Sequence, residues 1–301
     1  MATRGKQRTA FILQPRIVSA DGVATDVWDG FWGDLYDRVE KMSPDARTFP
    51  LGGRTYRGKA STEPSNGQRY LYLGKVRSAA DMPDVSDLPG SDTTAPLQVP
   101  GDVLEYLYAY GIGGAGEKCV VLRTSGGASF SAFQKWVGHV LGYEETDEVF
   151  ELIPVVRTDA LERLAQAQGA TKLELKIEKG ATDGLGAQSE LERALRTVAD
   201  ELGHEVSLEL GISFGNVHPG EGHSEQLARE LRQIVGTTGV KKLKATLVRH
   251  AGDGSLARDK VDFINERITY SVEVGDNENQ RPTPAVVLQA MGEAVRQYRS
   301  Q

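Results

Sequence analysis

The chain has 301 residues, 39% of them hydrophobic, and a formal charge of −7. That length favours two domains of ordinary size, and the apolar content excludes wholesale disorder. The single cysteine, Cys119, excludes an internal disulfide framework, no apolar run reaches the roughly 18–20 residues that span a bilayer, and the early "AFIL" is too short for a signal-peptide core; a soluble, cytoplasmic protein is expected.

In chain order, "RTAFILQPRIV" reads as a strand. A helix through "DVWDGFWGDLYDRVEKM" follows, from the helical spacing of Val27, Phe31, Leu35 and Val39 and with Asp26 as its N-cap. "SPDARTFPLGGRTYRGKASTEPSNG" is rich in turn formers and reads as a loop holding one short strand. "QRYLYLGKVR" alternates as a half-buried strand does, and "MPDVSDLPGSDTTAPLQVPGD" is a long polar connection.

The stretch Gly111-Ile112-Gly113-Gly114-Ala115-Gly116 matches the G-x-G-x-x-G dinucleotide fingerprint, which requires a preceding strand and a helix opening on its last glycine. "DVLEYLYAY" supplies the strand. What comes next is a second strand around Cys119-Val120-Val121-Leu122, and the helix "SFSAFQKWVGHVLGY" starts only near Ser129. The glycines therefore predict a hairpin and no nucleotide. Cys119, inside that apolar run, reads as a core thiol.

From about residue 149 the punctuation becomes regular. "VFELIPVVR" is a strand. Thr158-Asp159 cap a helix "ALERLAQAQ" that Gly169 ends, and "TKLELKIEK" alternates Leu173, Leu175 and Ile177 against Lys172, Glu174, Lys176 and Glu178. The helix "AQSELERALRTVADELG" carries Leu191, Leu195, Val198 and Leu202 as its inner stripe. "EVSLELGISF" is a strand, "SEQLARELRQIVG" a helix and "VKKLKATLVRH" a strand with Lys242, Lys244 and Thr246 on one face. "DKVDFINERITYSVEV" adds a strand in its second half, and "AVVLQAMGEAVRQYRS" is the last helix. The expected class is α+β: mixed or antiparallel sheets with amphipathic helices, in two domains. One domain covers 1–148, with the C-terminal helix 283–301 a candidate to complete it, and the other covers 149–282.

No Walker A loop occurs. His218, Glu221 and His223 share the loop "HPGEGH" but lack the helical spacing that lets such residues grip a metal. Neither a cofactor nor a metal is expected. Charge, in contrast, is clustered. Residues 46–78 hold Arg47, Arg54, Arg57, Lys59, Arg69, Lys75 and Arg77 against Glu63, while 79–105 hold only acids. Residues 240–250 hold Lys241, Lys242, Lys244, Arg249 and His250 with no acid, and Arg258 and Lys260 follow on the connection to the next strand. Same-face residues of a strand recur at about 7 Å, near the phosphate spacing along a nucleic-acid strand. If 240–250 and 261–274 form a hairpin, Lys241, Lys242, Lys244, Arg249, His250, Arg258 and Lys260 make one candidate DNA-binding patch. An ordinary wet face balanced by acids from a neighbouring element is the alternative.

The runs Ile153-Pro154-Val155-Val156-Arg157 and Gly169-Ala170-Thr171-Lys172-Leu173-Glu174-Leu175, with "RYLYLGKV" and the glycine hairpin before them, resemble the RexA-like phage exclusion proteins. The resemblance implies a non-enzymatic, homodimeric protein that binds double-stranded DNA with little sequence preference. It also implies a membrane partner of the RexB type and a role for Lys244, Arg249, His250 and Arg258 in DNA contact. Two other readings stay open: an interaction module using the basic 46–78 and acidic 79–105 segments, and a metal-dependent enzyme at the 218–223 loop.

Overall fold

The computed structural model describes residues 5–20, 23–77, 84–86, 94–96, 102–177, 190–202, 206–214, 221–235, 240–250, 256–277, 280 and 282–300. In chain order the elements are β1 (Lys6–Val18), β2 (Ala24–Asp26), α1 (Phe31–Lys41), β3 (Thr48–Leu51), β4 (Arg54–Thr62), β5 (Arg69–Val76), β6 (Asp84–Ser86), β7 (Thr94–Pro96), β8 (Leu104–Gly111) and β9 (Cys119–Arg123). They continue with α2 (Phe130–Leu141), β10 (Val149–Pro154), α3 (Thr158–Gln166), β11 (Gly169–Ile177), α4 (Glu190–Leu202), β12 (Leu208–Ser213) and α5 (Glu221–Ile234). The last are β13 (Val240–His250), β14 (Leu256–Asp262), β15 (Thr269–Val274) and α6 (Pro284–Arg299). The fold is α+β, with antiparallel sheets.

Two compact units divide the chain: Met1–Ala10, Trp28–Glu145 and Tyr270–Gln301 form one, Phe11–Val27 and Thr146–Thr269 the other. Where one domain was expected to end at 148, this division changes unit between Glu145 and Thr146; the second unit also takes residues 11–27, and α6 counts with the first. Neither assignment is a local property, since strand pairing and helix docking decide both.

The first unit is built on the antiparallel order β9-β8-β5-β4-β3. Helix α1 buries Phe31, Trp32, Leu35, Tyr36 and Val39, and α2 buries Phe133, Trp136, Val137 and Val140. Close approach is allowed at two glycines: a Cβ on Gly58 would fall inside the Trp136 indole, and one on Gly111 inside that of Trp32. Ser129 caps α2, accepting a hydrogen bond from the Ala132 N–H at 3.0 Å.

Several expectations are corrected. Asp26 lies in β2; the cap position of α1 is Gly30, whose φ of 82° suits glycine, because the Trp28–Gly30 turn intervenes. The stretch expected as a loop with one strand holds two, β3 and β4. Gly52 and Gly53, at φ 56° and 72°, join them in the tight turn that right-twisted hairpins favour. Arg157 is the cap residue of α3, with Thr158 already helical, and Gly169 opens β11 instead of closing α3.

The second unit holds the antiparallel sheet β12-β11-β13-β14. One face is dry: Leu173, Leu175 and Ile177 of β11, Leu243, Ala245 and Leu247 of β13, and Val261 of β14 pack with Leu164, Leu195, Ala228, Leu231 and Ile234 from α3, α4 and α5. The inner stripe of α4 is rotated from the expected one. Leu195, Ala199 and Glu192 are buried, Leu191 is packed against the core, and Val198 and Leu202 are 42% and 65% exposed. The small Ala199 side chain sits on the inward face, where the leucine spacing had suggested Val198 and Leu202.

Candidate nucleic-acid interface

The second face of this sheet is polar. Because successive side chains alternate, burying Leu243, Ala245 and Leu247 turns Lys242, Lys244, Thr246 and Val248 the other way. Register then fixes their neighbours. Glu209, Lys176 and Lys242 form one cross-strand row; Gly211, Glu174, Lys244 and Asp262 form the next; Ser213, Lys172, Thr246 and Lys260 the third; and Arg258 lies beside Val248. Cations outnumber acids on this face. Lys172, Lys176, Lys242, Lys244, Arg258 and Lys260 share it with Glu174, Glu209 and Asp262.

The acids are not idle. Glu174 stands 2.5 Å from Lys172 and 2.8 Å from Lys242, and Lys242 also reaches Glu209 at 3.4 Å. Lys176 lies 3.5 Å from Glu209, and Lys244 lies 3.1 Å from Asp262. Hydrogen bonds from Lys172 and Lys242 lower the Glu174 carboxyl to about 2, and its bond in turn raises the Lys242 ammonium. Lys172, Lys176, Lys244 and Glu209 are exposed and Glu174, Lys242 and Asp262 half-buried, so salt and competing anions reach them. Arg258 and Lys260 are different: both are exposed, and neither has an ion pair among the described residues.

The structure brings Lys242, Lys244, Arg258 and Lys260 together on one face. Arg258 and Lys260 belong to β14 itself, since β13 pairs with 256–262 and not with 261–274. The segment 269–274 is β15, which pairs with β1. Lys241 is the extra residue at a register shift, where Lys176 faces Lys242 but Ile177 faces Val240; it stands exposed between buried Val240 and Lys242, outside the cross-strand rows. Arg249 shares the parity of Leu247, so it lies off the lysine face, exposed at the strand end. His250 is the last residue of β13, and its side chain lies outside the described residues. Lys172 and Lys176 were missing from the sequence patch. The alternation of "TKLELKIEK" already put them on a wet face, but only the β11–β13 pairing reveals which one.

The other candidates fare as follows. His218 lies outside the described residues, as does the Glu221 side chain; among the described residues no three metal-ligating side chains converge. The "GIGGAG" glycines join β8 to β9, with Gly113, Gly114 and Gly116 at positive φ. That hairpin holds α1: the Glu117 carboxylate accepts the Gly30 N–H at 2.8 Å, and the Glu117 carbonyl accepts the Trp32 indole N–H at 2.6 Å. Cys119 is fully buried, and burial pushes its thiol pKa up. The basic segment 46–78 is in part neutralised from within its own unit: Arg57 pairs with Asp102 at 2.7 Å, Arg69 with Asp37 at 2.6 Å, and Lys75 with Glu105 at 3.4 Å. Among the described residues no helix is long and apolar enough to cross a membrane.

Compared with protein-family models and with curated proteins, the chain matches none.

Proposed function

We propose that the protein is a sequence-non-specific DNA-binding protein whose contact surface is the open face of β12-β11-β13-β14. The observation that supports it is the pair Arg258 and Lys260, exposed and without an acidic partner among the described residues, on the same face as Lys242 and Lys244. A sheet face lined by Lys242, Lys244, Arg258 and Lys260 offers charge to a phosphate backbone, a contact that carries no sequence information. Affinity there comes from counterion release and ignores sequence.

In the wider reading implied by the resemblance, this is a cytoplasmic, non-enzymatic homodimer that senses phage DNA and signals to a RexB-like membrane protein. Both parts are tested on the purified full chain. Fluorescence anisotropy of a labelled random-sequence duplex across a salt series is expected to show binding that weakens as salt rises. Arg258→Glu with Lys260→Glu should lower affinity at least about tenfold and flatten the salt dependence. Absent binding at low salt, or an unchanged curve for the double variant, rejects the reading. Sedimentation equilibrium tests the homodimer, and a monomer at all concentrations removes that part.

A further inference from the structure

The first unit carries a cleft lined by none of the residues proposed to contact DNA. It has a volume of about 650 Å³ and opens where β4 begins and β5 ends, beside the Gly52-Gly53 turn. That size lies within the range of clefts that hold nucleotide-sized small molecules. Its lining is charged. Arg54, Lys75 and Arg77 face it together with one acid, Glu105.

Each group is set in place by the backbone. Arg54 ends the β3–β4 turn, paired in register with Leu51, and is exposed. Lys75 sits across from Glu105 in the β5–β8 pairing. Its ammonium donates to the Gly126 carbonyl at 2.7 Å and lies 3.4 Å from the Glu105 carboxylate. Arg77 is anchored through its own N–H, which donates to the Val103 carbonyl at 2.9 Å, and its side chain is half-buried. Neither guanidinium has an ion pair among the described residues, so Glu105 offsets one cation of the three. The turn glycines leave the mouth clear: a Cβ at Gly52 or Gly53 would meet nothing within 4 Å, and their φ values of 56° and 72° disfavour any side chain there.

We propose that this cleft binds a small molecule bearing two or more adjacent phosphate groups. The Arg54 and Arg77 guanidinium forks, neither with a described acidic partner, match several anionic oxygens at once. No aromatic ring is among the described lining residues, so recognition is of the phosphates and not of an attached base. The site shares no lining residue with the sheet face of the second unit.

Isothermal titration of the full-length protein with inorganic triphosphate at low salt tests it. The wild-type chain should bind triphosphate more tightly than citrate. Arg54→Ser with Arg77→Ser should weaken triphosphate binding at least about tenfold while leaving the circular dichroism melt in place. The Arg258→Glu, Lys260→Glu protein should bind triphosphate as the wild type does, which separates this site from the DNA-binding surface. The proposal is overturned by absent triphosphate binding, by citrate binding equally well, by an unaffected Arg54, Arg77 variant, or by loss of binding in the Arg258, Lys260 variant.

Discussion

Glu174→Gln makes the proposed interface testable in both directions, because it adds affinity where most substitutions remove it. In the native sheet Glu174 holds Lys172 and Lys242, leaving Arg258 and Lys260 as the cations without a described acidic partner. Counting only those two per protomer, a slope of about 0.9 per phosphate contact gives a log–log salt slope near −1.8, or about a 12-fold loss of affinity between about 50 and 200 mM salt. Glutamine keeps the shape of the side chain and removes its charge. Lys172 and Lys242 then become available to phosphate, the slope approaches about −3.6, and the same salt change costs up to about 150-fold. Lys242 keeps Glu209 at 3.4 Å, so the full change is an upper bound. Acidification does not substitute for the mutation, since the Glu174 carboxyl titrates near about 2 and stays charged at mildly acidic pH. The assay is duplex anisotropy at several salt concentrations, with circular dichroism as the control for folding. Tighter low-salt binding with a steeper slope supports the interface. A slope identical to wild type means that the lysines beside Glu174 never meet phosphate, and the reasoning fails.

Three further expectations concern stability. Gly58→Ala drives a methyl into the fully buried Trp136, whose indole N–H is tied to the Arg47 carbonyl at 3.0 Å. A loss of about 2 kcal/mol or more is expected in urea unfolding followed by tryptophan fluorescence. Gly138→Ala, mid-helix in α2 with nothing within 4 Å of the new Cβ, should stabilise by about 0.5–1 kcal/mol, and the reverse order of these two effects would show the packing to be misread. Alkaline pH should also destabilise the first unit. Burial raises the pKa values of Tyr36, Tyr108 and Cys119 and pushes Tyr110 up to about 12. The folded state therefore holds protons that the unfolded chain releases. This stability is fully present below pH 9, where the unfolded thiol begins to titrate, and falls by about 1.4 kcal/mol per pH unit for each group once its unfolded pKa is passed. Thermal melts from pH 8 to 11 check it; a melting temperature flat across that range contradicts the burial of these groups.

Local periodicity carried much of this molecule. The alternation of "TKLELKIEK" and "VKKLKATLVRH" separated dry from wet faces, and the sheet buries Leu173, Leu175, Leu243 and Leu247 as those patterns require. Glycine punctuation around "GIGGAG", with a strand on each side, specified a hairpin where the bare motif suggested a nucleotide. These features depend on neighbours two to four residues away, which the chain displays directly. Long-range pairing decided the rest. Arg258 and Lys260 joined the lysine face because β13 pairs with 256–262, and Glu174 came to stand between Lys172 and Lys242 through the β11–β13 register. One extra residue in the same register buries Val240 and leaves Lys241 exposed outside the cross-strand rows. Helix α4 presented Ala199 inward and left Val198 and Leu202 exposed. A one-residue shift in pairing changes every cross-strand neighbour while leaving each strand's own alternation intact, so tertiary structure alone determined which charges meet.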